Sequence, residues 1–185
     1  VQGRENVFET DLFAPILEKL TELSGRTYHD ETQAFEIIAD HLKAATFILG
    51  DRRGVAPSNV GQGYVVRRLI RRAARYARRI GIEGNDWSSE VARIVIEMYR
   101  KHYPELEDRR AFIIAELSAE EERFGAVLER GLREFEKVAR GTISGEDAFN
   151  LFQTYGFPIE MTEELARERV DTVDRADFAS ALEKH

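Results

Sequence analysis

An arginine-rich segment is the clearest chemical signal in the sequence: nine arginines and no Asp or Glu lie between Arg52 and Ile82. Seven of these arginines fall within thirteen residues and recur with helical spacing. Like charges four residues apart destabilise an isolated helix by about 0.2–0.5 kcal/mol per pair, so the pattern favours a bound anion. The planar guanidinium group matches phosphate oxygens, so the segment predicts a phosphate-binding surface. The predicted backbone contacts are Arg52, Arg53, Arg67, Arg68, Arg71, Arg72 and Arg75.

The same arginines have other interpretations. They could pair with acidic helices nearer the C-terminus, for example through Glu120 to Glu122, or stay solvated as surface charges usually do. As a group they exceed what one helix interface needs, which favours RNA as the partner. The net charge of -7 does not exclude this, because a phosphate backbone meets the local field. The alternative function is a helical protein-interaction domain whose basic helix binds an acidic partner.

Residues 50–63, GDRRGVAPSNVGQG, form a long Gly/Pro-rich loop directly before the arginine helix. Loops of this length are usually functional or mobile. Such a loop can bring a short amide close to a groove while arginines hold the phosphates, and the wide minor groove of RNA is the accessible one. Asn59 is therefore a candidate base-reading residue. Asn is also a common turn residue in such loops, and that interpretation stays open.

Catalytic and metal-binding motifs are not found. The histidines are scattered, no Cys is present, and no phosphate-binding P-loop motif occurs. Asp40 and His41 are neighbours that should point about 100° apart on a helix, so they are expected to make a poor catalytic pair. We therefore expect no catalytic residue, no metal and no bound cofactor in this chain. The four histidines are His29, His41, His102 and His185.

The elements that must position these residues are almost all helical, because apolar residues recur every three or four positions with little alternation. The sequence predicts an all-α bundle of about seven to eight helices with the one long loop. Helices are expected to span about 11–24, 31–49, 64–80, 87–102 and 118–140, and shorter ones to begin at Ser144, Thr162 and Asp174. Ser118 and Glu121 match a capping box that would begin the fifth helix.

Composition is that of a globular protein, with 43% hydrophobic and 33% charged residues in 185. No apolar run approaches the ~20 residues that would span a bilayer. The absence of cysteine is compatible with a reducing setting, and we expect a cytoplasmic protein without a membrane partner. The chain begins at Val1 without a leader-like segment, which suggests an excised fragment.

Three blocks of sequence together resemble the tRNA-recognition region of the alanyl-tRNA synthetase family. They are PSN with GYVVRRLIRRA at 57–73, EEERF with LERG at 120–131, and DAFNLFQTYGFPIEMT at 147–162. The opening VFETDLF at 7–13 is similar to the end of that family's class II catalytic domain. The resemblance therefore covers nearly the whole chain. It implies that residues 1–28 end the catalytic domain and that residues 29–185 form a helical tRNA-recognition domain, with a sub-boundary near 104–118.

The resemblance also implies a function. The family is an ATP-dependent ligase that selects its tRNA chiefly by a G·U wobble pair in the acceptor stem, read from the minor groove by an Asn and an Asp. The Asn matches Asn59, with Ser58, Tyr64 and Tyr155 in supporting places within the quoted blocks. The family's ATP and zinc sites should lie outside this chain. The chain is thus expected to be non-catalytic and to act beside its catalytic domain in cis on alanine-accepting tRNA.

The second base-reading residue departs from the family. Where the family usually has an Asp before TYGFP, this sequence has Gln153. A carboxylate is a charged acceptor that holds the exocyclic amine of guanine strongly. Gln153 offers a neutral oxygen on a longer side chain and adds a donor. Either Gln153 shifts which base pair is selected, or it accepts the same bond through adjusted geometry.

Overall fold

The structure, a computed structural model, describes residue 3 and residues 6–183. His185 therefore lies outside the described residues. The described part confirms the all-α prediction, although it contains nine α-helices instead of the seven to eight expected. The elements are a short 3-10 helix Val7–Glu9, α1 Ala14–Ser24, α2 Thr32–Gly50, α3 Gly61–Arg79, α4 Trp87–Tyr99, α5 Pro104–Asp108, α6 Arg110–Val138, β1 Thr142–Ile143, α7 Gly145–Tyr155, α8 Ile159–Glu168, β2 Thr172–Val173 and α9 Arg175–Glu183.

The chain divides into two compact units, Val1–Glu122 and Arg123–His185. The division lies inside α6, just beyond the sub-boundary expected near residues 104–118. In the first unit α1 packs on α2 and α4, so the described part of residues 1–28 shares a core with the helices that follow it. Whether that segment ends a catalytic domain stays a prediction.

The core of the first unit is built around α2. The apolar stripe predicted for this helix is confirmed, because all five of its residues are fully buried: Phe35, Ile38, Leu42, Ala45 and Leu49. Gly50 ends the helix where α5 crosses it, and a Cβ at this position would lie 3.6 Å from the Cα of Leu106 and still closer to its side chain. A larger residue at this position would require the buried side chain of Leu106 to shift.

The predicted start of the long helix is wrong. Ser118 and Glu121 form no capping box, because α6 begins at Arg110 and both residues lie in its interior. Glu121 instead reaches the beginning of α4, where its Oε2 accepts a 3.0 Å hydrogen bond from the Ser88 N–H. The Ser118 hydroxyl donates to Asp86 at 2.7 Å. Glu121 thus caps the beginning of another helix, and Ser118 binds the side chain of the residue that precedes that helix.

Of three further predicted helix caps, two are confirmed and one is wrong. Ser144 caps α7 as predicted, since its hydroxyl accepts from the Asp147 N–H at 3.1 Å. Asp174 caps α9 as predicted, by accepting from the Asp177 N–H at 2.9 Å. Thr162 is not a cap, because α8 already begins at Ile159 after Pro158, and Thr162 is fully buried.

The helix that the sequence did not predict is α5, which begins at a proline. The fourth helix, predicted to span 87–102, ends at Tyr99, and Pro104 begins α5. Proline suits the first turn of a helix, where its missing N–H would have no helical partner.

The second unit holds the C-terminal part of α6 and all later elements. β1 and β2 pair in parallel, Thr142 opposite Thr172 and Ile143 opposite Val173, which periodicity did not predict because each strand has two residues. Under the TYGFP block, a Cβ at Gly131 would lie 2.5 Å from the Phe157 ring and 2.9 Å from the Tyr155 Cβ. Only glycine lets this block pack so closely on α6.

Candidate nucleic-acid interface

The loop before α3 is shorter than the predicted 50–63, because α2 ends at Gly50 and α3 begins at Gly61. Its last residues form a tight turn folded onto the first turn of α3. The Ser58 N–H donates to the Gly63 carbonyl at 3.1 Å, and the Ser58 hydroxyl donates to the Val60 carbonyl at 2.8 Å. A Cβ at Gly63 would lie 2.5 Å from the Ala56 carbonyl oxygen and closer still to the Ser58 hydroxyl. Gly61 has a φ of 58°, which favours glycine. Asn59 therefore lies in a turn, as one interpretation of the sequence predicted. Its side chain is also exposed, as base reading would require.

Asn59 is exposed at the tip of this turn, and its side-chain oxygen accepts a hydrogen bond from Nη1 of Arg67 in α3. The Nη2 of Arg67 also donates to the Pro57 carbonyl at 3.5 Å. Loop and helix are thus joined by side-chain contacts as well as by the backbone of the turn. Of the predicted site residues, Ser58, Asn59 and Arg67 are brought together here.

Glu120 is fully buried and holds two arginines of α3. Its Oε1 lies 2.6 Å from both Nε and Nη2 of Arg71 and 3.2 Å from Nε of Arg67. The pairing with acidic residues considered as an alternative is therefore confirmed for these two arginines. A buried carboxylate and guanidinium need each other, because either one alone would be a buried charge without compensation.

The arginines of the basic segment differ widely in exposure. Arg71 and Arg75 are buried, at 9% and 7% exposed. The buried face of α3 therefore includes two of the arginines predicted as backbone contacts, beside Tyr76 and, for Arg71, against Glu120. The guanidinium of Arg75 lies 4.9 Å from the centre of the buried Tyr76 ring. Three arginines are half-buried: Arg67, Arg68 and Arg72. Four are exposed: Arg52, Arg53, Arg78 and Arg79.

Arg72 contacts a histidine that the sequence did not connect with the basic segment. Its Nη1 lies 2.8 Å from Nε2 of His41, and Nδ1 of His41 lies 3.0 Å from the Asp40 carboxylate. Arginine only donates, so Nε2 of His41 must accept. Its Nδ1 therefore carries the ring proton and donates a hydrogen bond to the Asp40 carboxylate. Contrary to expectation, the neighbours Asp40 and His41 do meet. His41, oriented by Asp40, holds Arg72. Helical spacing in the sequence does not predict this contact between two helices.

The end of α3 meets two acidic residues from outside the basic segment. Arg78 lies 3.3 Å from the Glu83 carboxylate, and Arg79 lies 3.9 Å from that of Glu31. All four side chains except that of Glu31 are at least 45% exposed, so these pairs contribute little to stability. They lower the local positive charge without removing the arginines from solvent.

The remaining predicted residues lie apart from the turn. Gln153 belongs to the second unit, exposed in the last part of α7, and it forms no hydrogen bond within the part of the chain that the structure describes. Tyr155 is half-buried where α7 ends, against Gly131. Tyr64 is half-buried in the first turn of α3. The structure therefore leaves the amide of Gln153 accessible to a partner.

Among residues 3 and 6–183, no three His, Asp or Glu side chains gather as a metal site would require. Within that same part of the chain, no helix combines the length and apolar character needed to cross a bilayer.

Comparison with known proteins gives the family. The model described as "tRNA synthetases class II (A)" matches residues 1–185. The chain is 47% identical to the alanine–tRNA ligase of Treponema pallidum (strain Nichols) and 45% identical to that of Borreliella afzelii (strain PKo), with all of the chain covered in each case. It is 42% identical to that of Desulfitobacterium hafniense (strain Y51), again over its whole length.

The chain belongs to the class II tRNA synthetase family, as its full-length match to the family model shows. It spans 32% of the Treponema and Borreliella relatives and 22% of the Desulfitobacterium relative. The match shows the synthetase family and does not show a separate tRNA-recognition region.

Proposed function

We propose that this chain is the part of an alanine–tRNA ligase that recognises the tRNA acceptor stem from its minor groove. The observation that carries the proposal is the exposed amide of Asn59, held on a tight turn directly before a helix of arginines. A rigid turn can present one amide to a base edge while neighbouring cations contact the backbone. The relatives are alanine–tRNA ligases, which supports tRNA as the partner.

The proposal divides the work between two kinds of residue. Exposed arginines, above all Arg52 and Arg53 of the loop, neutralise phosphates and set affinity. Asn59 and Gln153 read base edges and set specificity. In this proposal the chain has no catalytic residue of its own, binds no cofactor, and acts beside a catalytic domain in cis that supplies ATP chemistry.

The primary test is binding of the chain to a hairpin RNA with the acceptor-stem sequence, measured at several salt concentrations. We expect affinity to fall steeply with salt, as release of counterions from phosphates requires. Reversing Arg52 and Arg53 to Glu should lower affinity strongly while circular dichroism stays unchanged, since both side chains are exposed. The matched control reverses exposed Arg140 of the second unit, outside the basic segment. Binding that ignores salt, or equal loss in both variants, would favour the protein-interaction alternative.

Gln153 is tested by comparing hairpins that carry G·U, G·C or a displaced G·U pair. If the neutral amide shifts selection, Gln153→Asp should raise the preference for the usual G·U pair by about tenfold, because a charged acceptor binds the guanine amine more strongly. The control is Asn150→Asp, an exposed position on the same helix that adds the same charge. An unchanged strong preference for G·U in the unaltered chain would show that Gln153 accepts the same bond.

A further inference from the structure

The amide of Asn59 has two chemically different ends, and the structure decides which one faces outward. Its oxygen accepts from Nη1 of Arg67. Arginine carries only donors, so the oxygen must be the atom that faces it. The Nδ2 amine of Asn59 forms no hydrogen bond with any residue that the structure describes. The exposed end is therefore a donor.

Arg67 is itself held from behind. Its side chain is 13% exposed, and its Nε lies 3.2 Å from Oε1 of Glu120, which is fully buried. Its Nη2 reaches the Pro57 carbonyl and its Nη1 donates to Asn59, while its Nε lies near Glu120 without forming a hydrogen bond among the described residues. A guanidinium in this setting cannot offer phosphate the free planar fork that makes arginine effective there.

We propose that Arg67 is a positioning residue for base reading, which holds the oxygen of Asn59 so that the Nδ2 amine points at the minor groove as a fixed donor. This inference rests on the proposed function and revises the sequence-based assignment of Arg67 to the tRNA backbone. The atoms that Asn59 reads are then acceptors, the purine N3 or the pyrimidine O2. A wobble pair displaces its pyrimidine relative to a Watson–Crick pair, so a donor with a fixed direction distinguishes the two.

The orientation can be tested without RNA. Two-dimensional NMR detects the side-chain NH2 of Asn59, which Asn59→Ala identifies by its disappearance. Arg67→Met keeps the apolar stem and leaves Arg71 facing Glu120, so the fold should persist. We expect this variant to shift both Asn59 amide protons and the control Arg52→Met, which alters an exposed loop arginine, to leave them in place. Unmoved Asn59 resonances in Arg67→Met would overturn the inference.

The RNA experiment separates positioning from phosphate binding. The measured quantity is the ratio of dissociation constants for G·C and G·U hairpins, together with the salt dependence. Arg67→Met should reduce the ratio by about tenfold and leave the salt slope unchanged. Arg52→Met should weaken both hairpins equally and make the slope shallower. In an Asn59→Ala background, Arg67→Met should cause no further loss of discrimination, because it acts through Asn59.

Two outcomes contradict different claims. Equal weakening of both hairpins by Arg67→Met, with a shallower salt slope, would make Arg67 a phosphate contact and overturn the positioning role. A chain that binds no hairpin at all, while its Asn59 amide still responds to Arg67→Met, would overturn the proposed function and leave the orientation of Asn59 established. Asn59→Asp supplies a last check: it presents only acceptors, and we expect it to abolish discrimination.

Discussion

Glu120 and Glu121 are adjacent in α6 and both are buried, but they meet opposite environments. Glu120 faces two guanidinium groups. Glu121 has no cation as its partner: its Oε2 accepts from the N–H and the hydroxyl of Ser88, and its Oε1 has no hydrogen-bond partner among the described residues. Burial raises the pKa of Glu121, the hydrogen bonds from Ser88 oppose that rise, and the nearby Asp86 carboxylate adds to it.

This raised pKa predicts a pH dependence of stability. Between the ordinary carboxyl pKa of about 4.3 and the higher folded pKa, the native state binds more protons than the unfolded state. The free energy of unfolding therefore falls as pH rises through that interval. Glu121→Gln removes the titration and keeps an oxygen that can accept from Ser88. We expect its stability relative to the unaltered chain to increase from pH 4 to pH 8, measured by urea unfolding.

The neighbouring exposed residue provides the control for this titration. Glu122→Gln removes one negative charge from the same helix without touching a buried group. Subtracting its effect isolates the burial of Glu121. A Glu121→Gln difference that stays level or falls with rising pH would mean that burial does not raise the pKa of Glu121.

At the scale of elements, the joint between the Asn59 turn and α3 depends on backbone approach at Gly63. Gly63→Ala should displace the turn, because its Cβ would overlap the Ala56 carbonyl and the Ser58 hydroxyl. We expect a loss of about 1–3 kcal/mol in the free energy of unfolding. Discrimination between hairpins should fall more than affinity, since the displaced turn carries Asn59 and not the helix arginines.

Gly125 offers the matched control for this substitution. It lies inside α6, and a Cβ there would meet nothing within 4 Å. Gly125→Ala should therefore stabilise the chain by up to about 1 kcal/mol, as a better helix former in an open position. Equal effects of the two substitutions on unfolding would show that the turn does not depend on close approach at Gly63.

The helices themselves were predictable because their apolar stripes are local and strongly periodic. The stripe of α2 and the caps at Ser144 and Asp174 are correct for that reason. The capping box at Ser118 failed because side chains suited to their own helix terminus can bind another one. Nothing in local spacing separates these two uses.

The candidate site was predictable in composition but not in arrangement. Asn59 and the arginines followed from the loop and the charge pattern. The burial of Arg71 did not, because it depends on Glu120, which lies far along the chain. His41 was missed as a partner of Arg72 for the same reason. Helical spacing places residues on a face and leaves open which of them a later helix will cover.

At the scale of the whole molecule, the number of arginines overstates the charge that an RNA would meet. Arg71 and Arg75 are buried, and half-buried Arg67 is held by Asn59 and Glu120, so six other arginines of the nine are exposed or half-buried. Each phosphate contact contributes about -0.9 to the slope of log affinity against log salt concentration on duplex DNA. We expect a slope of about -5 for a duplex acceptor stem that contacts these six.

The slope is measured by titrating the hairpin at salt concentrations from 50 to 200 mM, roughly the range over which counterion release is strong. A slope near -8, roughly that for nine contacts, would require the buried arginines to leave Glu120 and Tyr76 on binding. A change of that size should also alter the environment of Tyr76, which fluorescence can follow. A slope near zero would exclude phosphate contacts altogether.

The carboxylate of Glu121 at the beginning of α4 bears on the order in which the chain acquires its structure. During synthesis from the N-terminus, α4 leaves the ribosome before the segment that completes its first turn. Until α6 docks, the Ser88 N–H has only water as a partner. Exchange of the Ser88 amide with deuterium therefore reports when α6 docks on α4. The exchange should slow only after Glu121 accepts this hydrogen bond.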